Sequence, residues 1–186
     1  VNAPRDTASL VVLGLGNVLC GDDGLGVTAV ATVAERYALP PEVALLDGGT
    51  LGLSLLGWLE AAQDLLLVDA VRTDDPPGTL VRLEGEDVAP AARDRLSVHQ
   101  VGVADLLDGL HLLDAWPRRL SLIGLVPEAL ELGLNRSDRV ERRIPDLVEA
   151  VVAEIRDRGY PLVARGDDEA PVDVLDTRHA ARALGL

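Results

Sequence analysis

The chain is short of several things, and each shortage excludes a class of function. Its 186 residues contain one cysteine, Cys20, so no internal disulfide can form. Aromatics make up 2%, namely Tyr37, Trp58, Trp116 and Tyr160, with no Phe and no Met. Four rings are too few for a platform on which nucleic-acid bases stack. Lysine is absent, and 17 arginines face 31 acids, a net charge of −14. Such a surface repels phosphate backbones and anionic lipid, so neither nucleic acid nor a membrane is an expected partner. No apolar run reaches the roughly 18–20 residues of a membrane span. Val1 to Ser9 lacks the charged-then-apolar shape of a secretion signal, and a cytoplasmic location is expected. Without lysine there is no phosphate loop of the Gly-x-x-x-x-Gly-Lys type. Ser54 has no Gly-x-Ser-x-Gly elbow around it.

What is present is globular. Hydrophobic residues are 48% and charged ones 26%. The core must be built from Leu, Val, Ile and Ala. Leu10–Leu15, Asp64–Ala70 and Arg119–Val126 are aliphatic runs of the kind that form strands buried on both faces. Val43–Leu46 reads as a further strand, and Thr79–Glu84 alternates like an edge strand. Helical spacing runs from Leu25 to Tyr37, through Leu51–Glu60 and Val101–Leu113, and along Ser137–Arg158. Val88–Ser97 reads as a polar loop. Strands alternating with helices predict a three-layer α/β/α sandwich around a mostly parallel, five-stranded mixed sheet. The expected organisation is an N-terminal extension (1–9), one domain (10–160) and a flexible acidic tail (161–186).

In open α/β sheets, ligands bind outside the carboxyl ends of the strands. Three polar elements fall there. Asp22 and Asp23 follow the first strand, where either can also cap the next helix. Asp69 ends the third strand, and His99 precedes a helix in Ser97-Val98-His99-Gln100. Gly48, Gly49 and Thr50 close the second strand on the same rim. Two carboxylates and an imidazole can bind zinc, nickel or a similar ion with positions left open, or can work as acid and base without one. A dinucleotide site stays as an alternative, since Gly14-Leu15-Gly16 follows a strand and Asp47 ends the next. Leu19, however, stands where its third glycine belongs. Cys20 reads as a buried, inert thiol, and His111 and His179 as ordinary surface residues.

The segment Gly14-Leu15-Gly16-Asn17-Val18-Leu19-Cys20-Gly21-Asp22-Asp23-Gly24-Leu25-Gly26 resembles the opening signature of the hydrogenase maturation endopeptidases. Asp47-Gly48-Gly49-Thr50, Val68-Asp69-Ala70, Ser97-Val98-His99-Gln100-Val101-Gly102 and Ile123-Gly124-Leu125-Val126-Pro127-Glu128 resemble its later blocks, in order. The similarity covers about residues 10–160. It implies an endopeptidase that removes a C-terminal extension from the nickel-loaded precursor of a nickel–iron hydrogenase large subunit. It implies that Asp23, Asp69 and His99 are both the metal-contacting and the catalytic groups. The nickel would arrive with the precursor, with no organic cofactor. The glycines at 48 and 49, with Thr50, would let the precursor backbone approach. The enzyme is expected to be a monomer outside that complex. A non-catalytic precursor-binding chaperone on the same fold is the rival expectation.

Overall fold

The computed structural model describes residues 8–94, 101–166 and 170–176. The main sheet holds β1 (Leu10–Leu15), β3 (Val43–Gly49), β4 (Asp64–Ala70), β5 (Leu80–Glu84), β6 (Arg119–Leu125) and β8 (Leu175–Asp176). Their order across the sheet is β5-β6-β4-β1-β3-β8. All neighbours run parallel except β5, which lies antiparallel to β6 at one edge. The expected five strands are therefore present, and the two-residue β8 adds a sixth at the other edge. A separate two-stranded ribbon pairs β2 (Tyr37–Ala38) with β7 (Val163–Ala164).

Every residue of β1, β3 and β4 is buried. Side chains alternate between two cores, as the strand period of two requires. Leu10, Val12, Leu66 and Val68 meet α1 (Leu25–Arg36) and α6 (Ile144–Asp157) on one face. Val11, Leu13, Leu65 and Leu67 meet α2 (Leu56–Leu59), α3 (Val88–Asp94) and α4 (Val101–Leu112) on the other. The result is the three-layer sandwich.

Three expectations change. Val88–Asp94 is a helix and not a polar loop: Val88, Ala91 and Ala92 form a buried stripe at helical spacing. Pro90 is compatible because it falls in the first turn, where its missing N–H has no partner to lose. Ser137–Arg158 is two helices, α5 (Asp138–Glu141) and α6. Pro145 cannot donate back to Glu141 and would clash with its carbonyl, so the helix stops and restarts. In the segment expected to be a flexible tail, β7 and β8 are paired strands, so its described part is docked in two places. Residues 167–169 and 177–186 lie outside the described residues.

An ionic network ties α6 to the amino ends of β4 and β6. Arg158 donates through Nε to Glu154 Oε1 (2.8 Å) and through Nη2 to Ser121 Oγ (2.7 Å). Ser121 Oγ donates in turn to Glu154 (3.1 Å), whose second oxygen lies 2.6 Å from Arg82 on β5. Arg119 donates to Asp64, and that hydrogen bond holds the guanidinium pKa above its usual value. All of these but Asp64 line a polar cleft of about 450 Å³ at the sheet end opposite the candidate acids. Removing Glu154 would strand the buried Arg158. Glu154→Ala is expected to lower stability by about 3–5 kcal/mol, read from urea denaturation; a loss below about 1 kcal/mol would show that the network is not coupled to folding.

Candidate functional site at the carboxyl ends of the strands

The chain leaves β1 into a loop that folds back on itself. Gly16 has φ +113°, and a Cβ there would lie 1.8 Å from the Asp23 carbonyl oxygen. The loop ends in a 3-10 turn, Gly21–Gly24, that carries Asp22 and Asp23, and α1 follows at once. Its start is wedged against two strand ends. A Cβ on Gly26 would come within 2.0 Å of the Val68 carbonyl oxygen on β4 and 2.6 Å of the Leu15 carbonyl oxygen on β1. Only glycine permits that approach. Asp69 is the next residue after Val68, so the wedge gathers Asp23 and Asp69 at the carboxyl ends of the adjacent strands β1 and β4. The connection from β1 passes through α1 on one face, while the connection from β4 passes through α3 and α4 on the other. The two acids therefore sit at the topological switch point, where open α/β sheets place their ligands.

Both acids are fully buried. Asp23 Oδ2 accepts from the Asn17 N–H (2.8 Å), and Asp69 Oδ1 accepts from the Ala70 N–H (2.7 Å). These bonds fix each carboxylate to its own loop. Neither Asp22 nor Asp23 caps α1, whose N-cap is Gly24, so the expected capping role is corrected. Asp22 turns the other way. Its Oδ2 accepts from the N–H groups of Glu128 (2.8 Å) and Ala129 (2.9 Å) and from the Ser137 hydroxyl (2.9 Å). Its Oδ1 accepts from the Ser137 N–H (2.7 Å). Asp22 is thus a clamp on the 128–137 segment, a role its sequence position did not disclose.

A cleft of about 200 Å³ opens beside the acids, lined by Gly16, Asn17, Val18, Leu19, Val27, Asp47, Gly49, Thr50 and Leu51. Neither Asp23 nor Asp69 is among the lining residues, but Asp23 is bonded to Asn17, which is. Of the three expected precursor-binding residues, Gly49 (φ +47°) and Thr50 face the cleft. Gly48 faces inward: a Cβ there would meet Leu13 at 2.6 Å and Leu55 at 3.1 Å. Asp47, not singled out for the site beforehand, lines the cleft, and its Oδ1 accepts from the Gly49 N–H (3.0 Å). Its place after a strand in Asp-Gly-Gly-Thr was the available signal. Cys20 is buried, as expected.

His99 and His179 lie outside the described residues. Helix α4 begins close to the turn after β3: Gly102, in its first turn, faces Gly52, where a Cβ would stand 2.8 Å from the Gly102 Cα. His111, on the last turn of α4, packs edge-on against Trp116 at 5.1 Å. Among the described residues no three metal-ligating side chains close on one point. The two acids supply hard oxygen donors, and an imidazole on the same rim would complete a set that suits borderline divalent ions. No described helix is long and apolar enough to cross a membrane.

Known proteins resemble this chain in sequence and in fold. A family model described as hydrogenase maturation protease matches residues 27–154. The hydrogenase 2 maturation protease of Escherichia coli (strain K12) is 38% identical over 157 residues, covering 84% of this chain and 96% of its own length. The hydrogenase expression/formation protein HupD of Rhodobacter capsulatus is 42% identical over 149 residues, covering 79% of this chain and 71% of its own. Among solved structures, the hydrogenase maturating endopeptidase HybD from E. coli superimposes with a TM-score of 0.81 at 38% identity, over 86% of this chain and 99% of that one.

The clamp has a measurable weight. Asp22→Ala leaves three backbone N–H groups and a hydroxyl without their anionic acceptor. It is expected to cost about 3 kcal/mol in chemical denaturation; a cost within about 0.5 kcal/mol of zero, as for an ordinary surface change, would show that the clamp is dispensable.

Proposed function

The chain belongs to the hydrogenase maturation protease family, and on that premise we propose that it removes the C-terminal extension from the nickel-loaded precursor of a nickel–iron hydrogenase large subunit. The observation that carries this reading is the gathering of two buried acids, Asp23 and Asp69, at the ends of adjacent strands. In this reading the nickel belongs to the substrate, where precursor cysteine thiolates hold it. Asp23, Asp69 and His99 complete its coordination when the precursor docks. Ligand count then acts as a checkpoint, because an empty precursor offers the trio nothing to bind.

The same groups serve the peptide bond next to the metal. Water attacks the scissile carbonyl carbon while a carboxylate takes its proton. The C–N bond breaks, and the proton goes to the leaving amine. Gly49 and Thr50 border the cleft through which the precursor backbone approaches. Asp47, bonded to Gly49, holds that border in place. Asp23 and Asp69 are closed to solvent in the free chain, so docking must uncover them, and bulk water stays out until it does. Cys20, a buried thiol, is given no part in the chemistry. The net charge of −14 favours a positively charged precursor terminus.

The test is the mass of the large subunit after incubation with nickel-loaded and nickel-free precursor. Loss of the C-terminal peptide is expected only with nickel. Asp69→Asn and His99→Ala are each expected to slow cleavage by about 10²–10⁴-fold while the precursor still binds. A wild-type chain that binds the loaded precursor and releases it uncut would replace the protease reading with that of a chaperone.

A further inference from the structure

Two loops meet beside the cleft, and together they expose apolar side chains that the chain's own core does not use. The 128–137 segment is pinned by the buried carboxylate of Asp22. Gly133 fastens its middle to the loop after β1: its N–H donates to Leu19 O (2.8 Å), and its carbonyl accepts from the Gly21 N–H (2.7 Å). Gly133 thereby forms a parallel bridge with Cys20. The close approach is real, since a Cβ on Gly21 would stand 3.0 Å from the Ala129 carbonyl oxygen.

Residues on either side of a bridged position share a face. Leu132 and Leu134 flank Gly133 and are 87% and 77% exposed. Across the bridge, Leu19 and Val18 are 51% and 42% exposed, and both also line the cleft. Resting on the reading above, we infer that these four side chains are a docking ledge for an apolar, extended stretch of the precursor polypeptide, laid across the loops beside the segment that enters the cleft.

Three observations support this occupant. The ledge is continuous with the cleft through Val18 and Leu19. The cleft, at about 200 Å³, is smaller than the usual 300–1,000 Å³ of a ligand pocket, so a protein substrate needs contact beyond it. The ledge is held rigid by a buried anion with four donors, whereas exposed leucines with no partner would need no such anchoring. A second exposed group, Leu112, Leu113 and Trp116, lies at the opposite end of the sheet and serves as a control.

The experiment is biolayer interferometry of the full chain against nickel-loaded precursor. The double variant Leu132→Ser with Leu134→Ser is expected to weaken binding by about tenfold or more, with an unchanged melting temperature, while Leu112→Ser binds as the wild type does. Wild-type affinity in the double variant would overturn the ledge, and so would equal weakening by Leu112→Ser. Ultracentrifugation showing a wild-type dimer that the double variant abolishes would assign the ledge to a second copy and overturn the precursor assignment. A wild-type chain that binds through the ledge without cutting would sustain this inference and remove the protease reading. One that neither binds nor cuts would overturn both.

Discussion

The wedge of α1 between the carboxyl ends of β1 and β4 is the constraint on which the rest depends. Gly26 makes it possible, because any side chain there would collide with the carbonyl oxygens of Val68 and Leu15. The turn that precedes the helix must then sit over the strand ends. Asp23 and Asp69 become neighbours on one rim as a consequence. The crossing of helices from one face to the other at β1 and β4 makes that rim the topological switch point. Gly124 repeats the device on the next strand, since a Cβ there would lie 1.9 Å from the Asp69 carbonyl oxygen. The site is thus assembled by backbone closeness, and glycine is what backbone closeness requires.

The two ends of the sheet spend their charged groups differently. At the amino ends, Glu154, Arg158, Ser121, Arg119 and Asp64 bind one another, so α6 and the sheet are locked together. At the carboxyl ends, Asp22, Asp23, Asp47 and Asp69 each accept one or more hydrogen bonds from backbone N–H groups. Backbone donors orient a carboxylate without neutralising its charge, as an arginine would. The adjacent acids Asp22 and Asp23 point to different partners, the first anchoring the 128–137 loop and the second bonded to the Asn17 N–H and assigned to the proposed chemistry.

Much of the fold was legible because its central strands are buried on both faces. Leu10–Leu15 and Asp64–Ala70 announce themselves as unbroken aliphatic runs, and the structure keeps those limits. The strand-end rule then pointed to Asp22, Asp23, Asp69 and His99, and only the family resemblance chose Asp23 over its neighbour. What stayed hidden depends on partners far away in the chain. The donors to Asp22 lie 106 to 115 residues later, so its sequence neighbourhood suggests only a cap. Strand β8 is two residues long and exists only because β3 offers an edge. Helix α3 was lost among charges because its buried stripe is three small side chains. Gly48 and Gly49 look equivalent in sequence, yet one faces the core and the other the cleft, a difference set by the turn after β3.

The central claim is that Asp23 and Asp69 meet the nickel carried by the precursor. X-ray absorption at the nickel K-edge addresses this directly, recorded on loaded precursor alone and on its complex with the enzyme trapped by rapid freezing. The account predicts additional oxygen and nitrogen scatterers at about 2.0–2.2 Å in the complex, and fewer of them in the complex with the Asp69→Asn variant. A nickel shell that is unchanged on complex formation would contradict it.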